Sequence, residues 1–138
     1  MSGFVVDASA VIAMLESEPD AEAVREAFVA AGPRWISAVG VMECAIVLER
    51  RRGALAKAGL DALLSRFSVR TLAFDESQVA VAHLAYQQYG KGRHPAALNL
   101  GDCCAYAASK ALALPLLQKG EDFRKTDLDL VRWWPSAR

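Results

Sequence analysis

The feature that most constrains this chain is its alternation of very short apolar runs with longer helix-prone segments. Phe4-Val5-Val6 is a β-branched run ending at Asp7, and Ala8 to Leu15 is Ala-rich and helix-prone. Ser17-Glu18-Pro19-Asp20 breaks the pattern, and Asp20 is placed to cap a helix to Ala31, closed by Gly32-Pro33. Trp35-Ile36 reads as a strand; Ser37 caps a helix to Arg52, with Gly53 as its stop. A helix over Leu55–Phe67 and a strand over Val69–Phe74 follow. Asp75-Glu76-Ser77-Gln78 resembles a capping box opening a helix to Tyr89. After the loop Gly90–Leu98, Asn99 caps a helix from Leu100 to Leu112. Leu114–Gln118 is a strand, Lys119–Asp127 a loop, and Leu128–Trp133 a last strand. This order predicts an α/β fold: a parallel sheet of four to five short strands sandwiched by helices. In such sheets ligands bind beyond the carboxyl ends of the strands.

Composition narrows the class. With 54% hydrophobic residues and 16 basic against 16 acidic side chains, the chain is neither disordered nor broadly basic. The 138 residues suit one domain over 1–138. A nucleic acid would have to be held locally. The longest uncharged stretch, Ser77–Gly90, has 14 residues, short of the roughly 20 that span a bilayer. The N-terminus lacks a basic lead, so no signal peptide is expected. Cys44, Cys103 and Cys104 have no metal-binding spacing and read as buried small side chains in a reducing cytoplasm.

Three acids sit in the wrong surroundings. Asp7 is the only charged side chain in residues 1–15, Glu43 in 35–48 and Asp102 in 94–109. On a helix, the neighbours of Glu43 are Val39, Gly40, Ile46 and Val47. A lone carboxylate there needs a pKa shift, a cation such as Arg34 or Arg50-Arg51-Arg52, or a metal ion. Asp7 ends the first strand, Asp102 opens its helix, and Asp122 follows the strand before it by four residues. All three face the same sheet edge. Four carboxylates converging there would repel without a cation, and hard divalent ions prefer such oxygen ligands. A divalent ion makes water a better nucleophile towards phosphorus and stabilises the leaving oxygen. Each acid also has a simpler reading: Asp7 as a helix cap, Asp102 as a dipole partner, Glu43 in a folded-back ion pair, Asp122 in a polar loop.

Val5-Val6-Asp7-Ala8-Ser9-Ala10, Met42-Glu43, Leu100-Gly101-Asp102-Cys103 and Lys119-Gly120-Glu121-Asp122-Phe123, then Thr126-Asp127, resemble the motifs of PIN-domain ribonucleases. The resemblance is to the VapC-type toxins of bacterial toxin–antitoxin pairs and spans residues 5 to 127. It implies a PIN-like fold and an endoribonuclease dependent on Mg²⁺ or Mn²⁺. It also implies a homodimer, an inhibitory VapB-type antitoxin and RNA as substrate. Asp7, Glu43, Asp102 and Asp122 match the family's four acids. Ser9 matches the hydroxyl residue beside the metal, and Asp127 is a candidate for outer support. Glu121 adjoins Asp122, and the motif favours Asp122.

Other features weigh less. Lys91, Arg93 and His94 precede the Asp102 helix, so Arg93 is a candidate phosphate contact. Arg50-Arg51-Arg52 reads first as a solvated helix end. His83 reads as an ordinary core or surface histidine, and Val79, Leu84 and Tyr86 as core. No phosphate-binding glycine loop, H-E-x-x-H or G-x-S-x-G occurs. Two rival readings remain: a phosphatase with Asp7 as nucleophile, and a non-catalytic binding partner with the same fold. Ser9 occupies the place where such phosphatases often carry a second acid.

Overall fold

The computed structural model describes residues 3–135. Strand β1 is Phe4–Val6, followed by α1 (Ala8–Leu15) and α2 (Ala21–Ala30). Strand β2 (Arg34–Ser37) leads into α3 (Ala38–Arg52), a 3-10 turn at Ala54–Ala56 and α4 (Lys57–Arg66). Then come β3 (Arg70–Leu72), α5 (Glu76–Tyr89), α6 (Leu100–Leu112), β4 (Leu116–Leu117) and a 3-10 turn at Asp122–Lys125.

The four strands form one parallel sheet in the order β3-β2-β1-β4. Alternation along the central strands serves two cores. Phe4, Val6 and Leu117 join Val11, Phe28, Ile36, Leu48 and Leu60 on the face covered by α1 to α4. Val5 and Leu116 join Ala85, Leu98, Ala107 and Phe123 on the face of α5 and α6. The expected sandwich is therefore present. The chain leaves β1 towards β2 and β3 on one side, while β4 pairs on the other. The carboxyl end of β1 is thus where strand order reverses, which is where open α/β sheets form a crevice.

Several expectations change. The last strand expected over Leu128–Trp133 is a single parallel bridge, Leu116 with Leu130. Its partner β4 is only two residues long, so no ladder can grow. The helix expected from Leu55 begins as a 3-10 turn. Asp20 occupies its cap position without a side-chain hydrogen bond. Val79, Leu84 and Tyr86 are exposed rather than core. Helix α5 instead buries Gln78, Ala82 and Ala85 on one face, and the two small alanines let it pack closely on α6.

Candidate active site

Asp7 stands at the carboxyl end of β1 and caps α1. Its Oδ2 accepts from the Ser9 backbone N–H at 3.0 Å and from the Ser9 hydroxyl at 2.5 Å. The same hydroxyl accepts from the Lys119 backbone N–H at 3.0 Å, just beyond β4. One serine thus ties the ends of the two strands that flank the switch point. The cap reading of Asp7 holds, yet Asp7 is buried. Desolvation pushes its carboxyl above the ordinary range, against the lowering effect of the Ser9 and Ala8 bonds.

Asp102 opens α6 in a reciprocal capping box. Its Oδ2 accepts from Asn99 N–H at 3.0 Å, and Asn99 Oδ1 accepts from Asp102 N–H at 2.9 Å. Among the described residues nothing donates a hydrogen bond to Asp102 Oδ1. Burial raises its pKa to about 6 against the Asn99 bond, with repulsion from Asp7 and Asp122 adding to the rise. Glu43, on α3, is raised to about 7, first by desolvation, then by Asp7 and Asp102. A methyl group built at Gly101 would lie 2.5 Å from Glu43 Oε1 and 2.6 Å from Oε2. The Glu43 carboxylate therefore rests on the first turn of α6, beside Asp102.

Three elements thus bring Asp7, Glu43 and Asp102 into one repulsive cluster. Asp122 joins it at an exposed rim through Asp102. Among the described residues no cation pairs with any of the four. Arg34, a candidate partner for Glu43, instead donates to the carbonyls of Phe28 and Val29. Arg51 and Arg52 pair with Glu16, and Arg51 also with Glu18, so they answer to those acids before any phosphate.

Among the described residues, no three His, Cys, Asp or Glu side chains form a ready-made metal cage. The reason is visible in the capping bonds, which hold one oxygen of Asp7 and one of Asp102. The donor set still fits a hard divalent ion: several carboxylate oxygens, mutual repulsion and no competing cation. Mg²⁺ in particular binds through few carboxylates and keeps several waters.

The other candidates separate. Arg93 sits over the Tyr86 ring, 5.2 Å from its centroid, and among the described residues pairs with none of the acids. Glu121 lies 4.0 Å from Arg124 and is largely exposed. Asp127 accepts from Tyr106 Oη at 2.6 Å and Lys110 Nζ at 3.0 Å. Those partners lie four and eight residues along α6 from Asp102, so Asp127 braces the helix. Burial and neighbouring carboxylates push the Cys44 and Cys103 thiols up, Cys103 to about 11, which removes a thiolate nucleophile at neutral pH. Two participants escaped the sequence reading: the Lys119 N–H, and the space at Gly101. The second had a signal, a glycine inside a helical pattern next to a lone acid.

Fold and acid cluster together define a PIN domain, and the PIN-domain family model matches residues 4–128. A Ribonuclease VapC of Mycolicibacterium smegmatis is 47% identical over 127 residues, covering 92% of this chain and 98% of the relative. Ribonuclease VapC30 of Mycobacterium tuberculosis is 45% identical, covering 92% and 97%. The chain belongs to the VapC ribonucleases of the PIN-domain family. Solved structures agree on the fold. VapC20 of M. tuberculosis, described as a sarcin-ricin loop cleaving toxin, superposes with a TM-score of 0.76 at 16% identity over 91% of this chain and 96% of its own. DNA-bound VapBC from Salmonella typhimurium gives 0.75 at 17% identity over 96% and 98%. Among the described residues no helix is long and apolar enough to cross a membrane.

Proposed function

We propose that this single-domain chain is the toxin of a toxin–antitoxin pair and hydrolyses RNA phosphodiester bonds at the Asp7–Glu43–Asp102 cluster. The observation that carries this reading is three carboxylates from separate elements, repelling one another at the switch point with no cation paired to them among the described residues.

Asp7, Asp102 and Glu43 would hold Mg²⁺ or Mn²⁺, with Asp122 completing the ligands or orienting a water at the rim. Bound there, the ion offsets the repulsion and supplies Lewis-acid stabilisation of charge developing on the phosphodiester oxygens. The protein's own residues do the rest. Ser9 fixes Asp7 by its two hydrogen bonds and holds the Lys119 segment against it. The capping box fixes Asp102 on α6. Glu43, raised to about 7 by burial and its acid neighbours in the metal-free site, gives up its proton when a cation binds beside it. Arg93, exposed on the preceding loop, meets RNA phosphate.

Solved VapBC assemblies with this fold support an antitoxin as partner. A second copy of the chain is supported by exposed apolar side chains at Val79, Tyr86 and Leu100, which flank one hollow between α5 and α6. Free cysteines fit a cytoplasmic setting.

The test is cleavage of a labelled RNA with Mg²⁺ or Mn²⁺, an EDTA control and an Asp7→Asn variant. Asn keeps a cap acceptor for the Ser9 N–H, so the fold survives. Metal-dependent cleavage lost in Asp7→Asn is expected. Undiminished cleavage by the variant refutes the assignment. Binding without turnover points to the non-catalytic alternative, and a phosphoryl group trapped on Asp7 to the phosphatase.

A further inference from the structure

Gly101 is the second residue of α6 and has ordinary helical backbone, where every L-residue fits. Glycine is a poor choice there, because alanine forms helix better. The glycines at 3 and 90 have evident backbone reasons: an added methyl would strike the Pro33 carbonyl at 2.7 Å and the Tyr86 carbonyl respectively. At Gly101 the three nearest atoms all belong to one flexible side chain: Glu43 Oε1 at 2.5 Å, Oε2 at 2.6 Å and Cδ at 2.7 Å. The space a methyl would fill is taken by a carboxylate.

We propose that Gly101 is a positioning residue for Glu43. By presenting no side chain, it admits the Glu43 carboxylate to the first turn of α6, one residue from Asp102. A methyl at 101 pushes only the end of Glu43 aside, so it leaves the fold intact while separating two acids that must face one ion. This rests on the metal-site reading above.

The experiment compares wild type, Gly101→Ala, Glu43→Ala and the double variant. Each is titrated with Mn²⁺ in a calorimeter and melted in EDTA. Displacing a residue that orients a ligand weakens metal binding by about 10–100-fold, and that loss is expected in Gly101→Ala. Its melting temperature in EDTA stays equal or rises. On the Glu43→Ala background the glycine change costs less than about twofold, because Gly101 acts through Glu43. Unaltered Mn²⁺ affinity in Gly101→Ala, a full loss on the Glu43→Ala background, or a lowered melting temperature overturns the proposal. Should wild type itself take up no Mn²⁺, the metal-site reading fails, and a crystal structure of Gly101→Ala in EDTA decides the inference. A Glu43 carboxylate displaced from α6 supports it; one in its present place overturns it.

Discussion

Replacing Glu43 with Gln should stabilise the metal-free protein. Burial and the charges of Asp7 and Asp102 lift the Glu43 pKa from 4.5 to about 7. A carboxyl raised on folding is one whose ionisation the fold opposes. The folded state holds its proton longer than the unfolded chain, so stability falls as pH rises from about 4.5 through about 7. Gln never ionises and escapes that loss. Converting the shift in full gives about 3 kcal/mol at pH 8. The carboxylate is only half-buried, and solvent screening reduces this to about 1–2 kcal/mol. For a chain of this size that is a rise of about 3–8 °C in melting temperature. The assay is thermal unfolding in EDTA at pH 8 and pH 4.5, where the gain should nearly vanish. With Mn²⁺ most of that gain should disappear. A ligand at 100 times its Kd adds about 2.7 kcal/mol, and a tenfold weaker site forfeits about 1.4 kcal/mol of it. A variant that melts no higher than wild type in EDTA at pH 8 refutes the reasoning. So does a gain of equal size at pH 4.5.

Two further outcomes follow from the surrounding contacts. Ser9→Ala removes the hydroxyl that donates to Asp7 and leaves the Lys119 N–H without its acceptor; denaturant unfolding should report a loss of about 1–3 kcal/mol. Arg93→Ala should flatten the salt dependence of RNA binding, reducing the log–log slope by about 0.7, as measured by fluorescence anisotropy; an unchanged slope removes Arg93 from the RNA contact.

The acids were legible because charge is rare in buried segments. Asp7, Glu43 and Asp102 each stood alone among apolar residues, and a lone charge in a core element needs a reason. The strand and helix order was legible for a similar reason, since β-branched runs and capping residues are local signals. What failed depended on partners distant in sequence. Leu128–Trp133 has a strand's pattern, but a two-residue β4 offers it one bridge. Along α5 apolar residues occur on every side. Only the close approach of α6 selects Ala82 and Ala85 over Val79, Leu84 and Tyr86. The Ser9–Lys119 bond joins residues 110 apart. The contact of Glu43 with Gly101 exists only because α3 and α6 cross.

Anomalous diffraction from crystals soaked in Mn²⁺ tests the shared-ion account most directly. It predicts a peak bound by Asp7 and Asp102, with Glu43 and Asp122 reaching it directly or through water. Saturating Mn²⁺ that leaves this crevice empty, in protein that still cuts RNA, would contradict it.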